Sequence, residues 1–170
     1  MLQHNTGAVS VYRKLGFMVT REFNYFVQKC SEVRPGEDQA GNRFSVRQND
    51  PLAAAATEGF AAFAPSWQNS YESISRVPDH FVALGAFEEE KLLGCCILEP
   101  ASGDIPQLAV KKESRRKGIG SLLLREALRL NRGSMIKIVN ADIGCESITG
   151  FLQSKNIPVT GKQFEMIRKL

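Results

Sequence analysis

The chain has 170 residues, a length that accommodates one ordinary domain and a short additional segment. Its composition, 43% hydrophobic and 24% charged, is that of a soluble globular protein. No apolar run approaches the roughly 18 residues that span a bilayer, and no charged and apolar leader opens the sequence, so we expect a cytoplasmic protein without membrane contacts. The net charge of +4 is mild, and much of the excess lies in one basic patch at residues 111–117. No aromatic residues are interleaved with this patch, which argues against nucleic acid as a partner.

The cysteines indicate neither a metal site nor a disulfide framework. Cys30, Cys95, Cys96 and Cys145 form no Cys-x-x-Cys pair, and the chain has only two histidines. Cys95 and Cys96 lie in an apolar run with the character of a strand, where neighbouring side chains point to opposite faces. We therefore predict buried, free thiols in a reducing compartment.

The remaining elements are taken in chain order. Residues 1–29 contain an amphipathic segment and an alternating run, and residues 30–42, rich in polar residues, glycine and proline, form a predicted linker. From residue 43 onward the pattern predicts a strand, two helices, three strands, a helix, a strand, a helix and a final strand. These elements are placed at residues 44–48, 51–64, 67–76, 81–87, 92–98, 105–110, 122–130, 135–139, 146–155 and 159–170.

A basic loop with two glycines joins the predicted strand at residues 105–110 to the helix that follows. From Arg115 to Ser121 it reads Arg-Arg-Lys-Gly-Ile-Gly-Ser. The first amides of a helix lack intrahelical acceptors and carry partial positive charge, and Gly118 and Gly120 allow an anion to approach the backbone closely. The loop is therefore predicted to bind a phosphorylated ligand. Its spacing is neither that of a nucleoside triphosphate loop nor that of a dinucleotide motif.

The pattern Arg-x-x-Gly-x-Gly, formed here by Arg115, Gly118 and Gly120, resembles the acetyl-CoA-binding motif of the GNAT family of N-acetyltransferases. In that family the loop amides hold the pyrophosphate of coenzyme A, and the preceding strand pairs with the pantetheine arm. The resemblance implies a cofactor site at the strand end and the loop. Its residues are Leu108, Ala109, Val110, Arg115, Arg116, Lys117, Gly118, Ile119, Gly120 and Ser121.

The order of the elements over residues 43–170 also resembles that family. It implies the α/β (α+β) acyl-CoA N-acyltransferase fold, a mixed and mostly antiparallel sheet flanked by helices. The implied activity is transfer of an acetyl group from acetyl-CoA, the cosubstrate, to a primary amine of a small molecule or peptide.

Residues 1–29 resemble the end of a second copy of the same domain. Asn5-x-x-Ala8 is followed by Tyr12-Arg-Lys-Leu-Gly-Phe17 and by an alternating run at residues 19–27. The resemblance implies the tail of a truncated domain at 1–29, a linker at 30–42 and a complete domain at 43–170. Because an unpaired apolar strand edge is a liability, we expect the leading strand to pair with the sheet of the complete domain, in the same chain or across a homodimer.

The last predicted helix departs from the family pattern. When Phe151 is aligned with the family's aromatic pair, Leu152 stands where the family has a tyrosine that can protonate the departing thiolate. Cys145 and Asn156 stand where the family has asparagine and glycine. Three interpretations stay open: an enzyme that works without the tyrosine, which we favour, a cofactor-binding domain without catalysis, and a domain completed by the leading segment. The alternative function is thus a catalytically impaired acetyl-CoA-binding regulatory or scaffold domain of a tandem protein.

The sequence assigns no catalytic residue. Asp104 and Glu99, at neighbouring strand ends, are candidates for a general base, and both are also ordinary loop carboxylates. The candidates for an acceptor pocket, for which core packing is the alternative, are Phe60, Phe63, Trp67 and Tyr71.

Overall fold

The computed structural model describes residues 1–36, 43–49 and 60–168. In these ranges the helices are α1 (Thr6–Lys14), α2 (Tyr71–Ser75), α3 (Ile119–Leu130) and α4 (Glu146–Ser154). The strands are β1 (Met18–Lys29), β2 (Ser45–Asn49), β3 (Val82–Glu88), β4 (Lys91–Glu99), β5 (Asp104–Val110), β6 (Met135–Asp142) and β7 (Val159–Ile167). No helix within the described ranges is long and apolar enough to cross a membrane.

The strands form one sheet in the order β2-β3-β4-β5-β6-β1-β7. All neighbours are antiparallel except β5 and β6, which are parallel, so the predicted mixed and mostly antiparallel sheet is confirmed. Each strand predicted from residue 44 onward is present with bounds that differ by a few residues, as are the predicted helices at α3 and α4.

The two helices predicted before β3 differ from what is observed. Most of the predicted helix at 51–64 lies outside the described residues, and its described end, residues 60–64, is not α-helical. The predicted helix at 67–76 is divided at Ser70, whose backbone is extended with ψ 152°. Its hydroxyl accepts from the backbone N–H of Ser73, so the serine caps a new helix where the sequence pattern predicts a continuous one.

β1 lies in the interior of the sheet and pairs with both β6 and β7. Phe23 and Phe26 are 1% and 0% exposed, and because they are three residues apart on a strand they fill opposite faces of the sheet. The expectation that the leading strand pairs with the sheet is therefore confirmed, within one chain.

The first three residues cover part of the outer edge of β7. The amino terminus of Met1 donates to the carbonyl of Phe164 at 2.9 Å, and the N–H of Phe164 donates back to the carbonyl of Met1 at 2.7 Å. The N–H of Gln3 donates to the carbonyl of Lys162 at 3.0 Å. The leading segment consequently contacts β7 at both of its edges.

β5 and β6 are paired at one position only, Asp104 opposite Lys137, although the structure describes both strands completely. The register between β4 and β5 shifts next to this point, because Ile97 lies opposite Gln107 while Glu99 lies opposite Asp104. Pro106 is in the shifted stretch and has no N–H for a sheet ladder. The sheet therefore opens between the carboxyl-terminal ends of β5 and β6.

α3 covers the sheet next to this opening. Its buried residues Ile119, Leu123, Leu124 and Ala127 recur at helical spacing and belong to the main hydrophobic core, to which Phe26 also belongs. The amino-terminal end of α3 thus points to the same end of the sheet as the opening, since the helix follows directly from β5.

We expect Phe26→Ala to lower the free energy of unfolding by about 3–5 kcal/mol, because it leaves a cavity in the main hydrophobic core. Val19→Ala, on the same strand at a side chain that is 36% exposed, is the matched control and should cost less than about 1 kcal/mol. Urea denaturation followed by circular dichroism measures both. Equal, small losses would show that β1 is only loosely attached to the sheet.

Candidate functional site

A cavity of about 570 Å³ lies where β5, the basic loop, α3 and α4 meet. Eight of the ten predicted cofactor residues line it, and the two exceptions are Leu108 and Lys117. Leu108 packs against the main core, and Lys117 is exposed. The residues that line the cavity are Phe60, Ala62, Ala109, Val110, Ser114, Arg115, Arg116, Gly118, Ile119, Gly120, Ser121, Glu146, Ser147, Ile148, Gly150, Phe151, Ser154 and Lys155.

The amino-terminal end of α3 opens into this cavity. Gly118 is the N-cap residue with φ 87°, in the left-handed region that favours glycine, and as a glycine it has no side chain to cap the helix. Leu122 is the first residue whose N–H reaches a helical acceptor, the carbonyl of Gly118. The preceding amides, from Ile119 to Ser121, are therefore donors without intrahelical partners, and together with the helix dipole they favour negative charge at this end of the helix.

Arg115 holds the loop in place. Its Nε donates to the carbonyl of Val110 at 3.1 Å, and one terminal nitrogen donates to the carbonyl of Phe60 at 3.4 Å. The guanidinium therefore joins the end of β5 to the segment that begins at Phe60. Its charge lies at the cavity, as the sequence predicts, but its hydrogen bonds go to backbone carbonyls.

The structure corrects the interpretation of Leu152. Its side chain is 0% exposed and belongs to the main core, whereas the preceding residue, Phe151, lines the cavity. A tyrosine at position 152 would point its hydroxyl into the core and not toward a ligand. No tyrosine is among the described residues that line the cavity.

Phe151 also closes the cavity on the side of α3. A Cβ added at Gly120 would approach the Phe151 ring to 3.2 Å. Glycine at position 120 therefore lets α3 and α4 approach each other, in addition to any contact with a ligand. This packing role could not be read from the spacing of the loop.

The two candidate bases lie at the closed end of the opening between β5 and β6. Asp104 begins β5 and has its Oδ1 3.7 Å from Nζ of Lys137. Glu99 accepts a hydrogen bond from Ser102 at 2.5 Å and is 3.8 Å from Nδ1 of His80. By strand rise, Asp104 is about 16 Å from Ala109 at the cavity. Neither carboxylate lines the cavity, and its one carboxylate among the described residues is Glu146, which the sequence analysis did not single out.

Buried carboxamides connect β5 and β6 to the segment before α2 where the two strands separate. Gln107 donates from Nε2 to the carbonyl of Asn69 at 2.5 Å, and Asn69 donates from Nδ2 to the carbonyl of Val139 at 2.9 Å. Asn140, with φ 58°, donates to Oε1 of Gln68 at 3.3 Å. Gln107, Asn69 and Asn140 are all buried. Sequence reasoning missed them because an amide residue gives no local signal of whether it is buried.

The four aromatic candidates for an acceptor pocket separate in the structure. Phe60 lines the cavity, and Phe63 packs against the main core. Tyr71, the first residue of α2, packs against a smaller cluster between α2 and the sheet, and Trp67 is 73% exposed. The structure therefore brings only Phe60 to the predicted cofactor residues.

Arg21 of β1 connects the leading segment to the chain before α2. Its guanidinium contacts both carboxylate oxygens of Glu165, at 2.7 and 2.9 Å, and donates to the carbonyls of Ala64 and Pro65 at 2.7 and 3.3 Å. It also lies 4.9 Å from the centre of the Phe23 ring. The hydrogen bond with Glu165 raises the pKa of Arg21. β1 and β7 thereby fix the position of the segment that also supplies Asn69.

Residues 78–155 match the sequence model of the acetyltransferase (GNAT) domain. No curated protein shows significant similarity to the chain. Similar solved structures include a conserved protein of unknown function from Staphylococcus epidermidis, with a TM-score of 0.66 and 17% identity, and a GCN5-related N-acetyltransferase from Sphaerobacter thermophilus, with 0.65 and 16%. Another is the tandem GNAT protein from the clavulanic acid biosynthesis pathway, with a TM-score of 0.65 and 17% identity.

These three alignments cover 95%, 99% and 95% of this chain but 66%, 59% and 58% of the other chains, in the same order. The chain thus spans less than two thirds of the length of these structures. At such identities the likeness establishes the fold, and the predicted GNAT fold is confirmed. Residues 78–155, which include the basic loop and most of α4, carry the sequence pattern of a GNAT domain.

The raised pKa of Asp104 predicts how stability changes with pH. Burial, the largest cause, disfavours the charged carboxylate in the folded chain. The free energy of unfolding therefore falls as the pH rises from the ordinary pKa of the carboxyl, 3.8, through its raised pKa in the folded chain. We expect the free energy of unfolding of wild type, relative to Asp104→Asn, to fall over that range, as measured by urea denaturation between pH 3 and 7. Asp79→Asn, at an exposed residue, is the control, and a difference that does not vary with pH would contradict the prediction.

A double-mutant cycle tests the link between Arg21 and Glu165. We expect a coupling of about 1–2 kcal/mol in unfolding free energy, because the pair is bidentate and partly buried. The exposed pair Arg76–Glu72 is the control and should couple by less than about 0.5 kcal/mol. Equal coupling in the two pairs would show that the pair of Arg21 and Glu165 stabilises the fold no more than an exposed ion pair does.

Proposed function

We propose that this chain is a GNAT N-acetyltransferase that transfers an acetyl group from acetyl-CoA to a primary amine of a small molecule or peptide. The observation that carries the proposal is the cavity at which the uncapped amino-terminal end of α3 meets the opening between β5 and β6. The first feature suits a pyrophosphate, and the second provides an extended edge for the arm attached to it.

The pairing of β5 supports this placement of the donor. On one edge of β5, residues 108–110 pair with β4. On the other edge these residues are not paired with β6. Backbone groups on that open edge can bind the amides of a pantetheine arm as another strand would. An N–H on the same edge would polarise the thioester carbonyl.

The proposed reaction needs positioning more than a nucleophilic side chain. The nitrogen of the neutral amine attacks the thioester carbon, the carbon–sulfur bond breaks, and the sulfur leaves with the electron pair of that bond. The nitrogen loses a proton to water or a base, and the thiolate gains one. No side chain of this chain is assigned to either proton transfer.

A second candidate function is a catalytically impaired acetyl-CoA-binding regulatory or scaffold domain of a tandem GNAT protein. The observation that favours it is the core position of Leu152, together with the lack of a tyrosine among the described residues lining the cavity. Cleavage of acetyl-CoA in the presence of amino acids, polyamines and aminoglycosides distinguishes the two. Binding without cleavage under any of these conditions would support the second function.

We further propose that residues 1–29 are the tail of a first GNAT copy, that 30–42 are a linker, and that 43–170 are the second copy. The likeness to a tandem GNAT structure supports this division. Because β1 pairs with strands at the other end of the sequence, the same pairing could be exchanged between two chains in a homodimer. A cytoplasmic location is proposed as well, since the four cysteines are free thiols.

Ser121→Glu tests the donor site without weakening the helix. A carboxylate in the first turn of α3 interacts favourably with the helix dipole, so the melting temperature should be kept or raised. The same charge repels a pyrophosphate, and we expect the affinity for acetyl-CoA to fall at least about 100-fold, in the range that a lost charged contact gives. Isothermal titration calorimetry measures it.

Ser121→Gln is the uncharged control of the same length and should retain affinity within about tenfold. Equal affinity of the Glu and Gln variants for acetyl-CoA would show that the anion does not bind at α3. Substitutions at Ser121 are preferable to a substitution at Gly120, where any side chain would also disturb Phe151.

A further inference from the structure

An apolar corner is exposed where α1 ends and β1 begins. Among the described residues, nine large hydrophobic side chains are exposed, and six of them lie at this corner, between 36% and 58% exposed. These six are Val11, Tyr12, Leu15, Met18, Val19 and Ile167. Exposed apolar residues scattered singly are ordinary, but a group of this size marks a surface that another molecule covers.

The end of α1 folds back onto the start of β1 and fixes the shape of this corner. The N–H of Phe17 donates to the carbonyl of Tyr12 at 3.0 Å, and the centres of the two rings lie 5.1 Å apart in an edge-on contact. Met18 then begins β1 and lies opposite Ile167 of β7. The helix, the turn and the strand pair therefore hold the six side chains together in one place.

Positive charges border the apolar corner without interrupting it. Arg13 and Lys14 line a groove with Phe164 on another side of α1. Arg168 lies at the border, with its Nε 3.9 Å from the position that a Cβ on Gly16 would take. None of these three cations forms an ion pair with a described carboxylate. A two-fold contact brings the same surface of each chain together, so it requires an uncharged centre, and this corner has one.

The apolar surface of the corner matches what a homodimer requires. Together the six side chains expose about as much surface as three whole large side chains, on the order of 500 Å². A homodimer interface of ordinary size covers about 800 Å² on each chain and is about 65% apolar. The apolar part of such an interface is therefore also on the order of 500 Å². The corner thus supplies that part without any rearrangement of the chain.

We propose that the apolar corner docks on the same corner of a second copy of this chain, with the two α1 helices packed across a two-fold axis. Val11 and Leu15, one helical turn apart on α1, form the centre of the contact, and Tyr12 borders them. β1 stays in the sheet of its own chain, so this dimer differs from one in which β1 is exchanged. The proposal does not rest on the acetyltransferase function.

Sedimentation velocity of the wild-type chain from about 1 to 200 µM tests the proposal, and we expect a dimer to form within this range. Because like charges border the contact in both copies, raising the salt from about 0.1 to 0.5 M should strengthen association at least about twofold. Val11→Lys and Leu15→Lys each place a charge in the apolar centre and should weaken the dimer at least about tenfold. Both positions are exposed, and an unchanged melting temperature checks that each variant is folded.

Val77→Lys is the control, because Val77 is an exposed apolar residue outside the corner and the change in charge is the same. It should keep the dissociation constant of the dimer within about twofold. A dimer that survives both Val11→Lys and Leu15→Lys would overturn the proposal, because the contact would then lie elsewhere. A wild-type chain that stays monomeric at about 200 µM would also overturn it, and binding of that chain to phosphatidylglycerol vesicles would assign the corner to a lipid surface instead.

Discussion

The separation of β5 and β6 after their single paired position is the constraint on which the candidate site depends. Two parallel strands that stayed paired would satisfy each other's backbone groups and leave no room at the carboxyl-terminal edge of the sheet. Here Asp104 and Lys137 hold the closed end, and a proline with a register shift follows at once. The cost of separated strands is unpaired backbone, and part of it is offset by Asn69, which binds the side chain of Gln107 and the carbonyl of Val139.

The leading segment makes this opening possible from the other side of the sheet. β6 is not paired with β5 along most of its length, and its other neighbour in the sheet is β1. A strand without a partner on either edge would have little to hold it, so the position of β6, and of α4 after it, depends on residues at the start of the chain. The segment before α2 also depends on the leading residues, because Arg21 binds Glu165 of β7 and two backbone carbonyls of that segment.

The parts of the site that are local in sequence were predictable, and the parts that join distant residues were not. The strand, the glycine loop and the helix from Asp104 to Leu130 are continuous, so their composition and spacing predicted these elements and most of the residues that line the cavity beside them. The link between Arg21 and Glu165 spans 144 residues and has no local signature. Leu152 shows a different limit: motif alignment fixed a position along α4, but adjacent helical residues point about 100° apart, and only packing decides which one faces the cavity.

The charges along the cavity favour one orientation of the proposed donor. Glu146 lies at one end of α4, and Arg116 and Lys155 lie at the other, with the amides of α3 between. A polyanionic donor is favoured with its phosphates toward Lys155, which leaves its uncharged thioester toward Glu146 and the opening in the sheet. A carboxylate there attracts an ammonium acceptor but also stabilises its charged form, which cannot attack. A carboxylate at this position is therefore better suited to binding an amine than to deprotonating it. In the proposed reaction the amine then loses its proton to water.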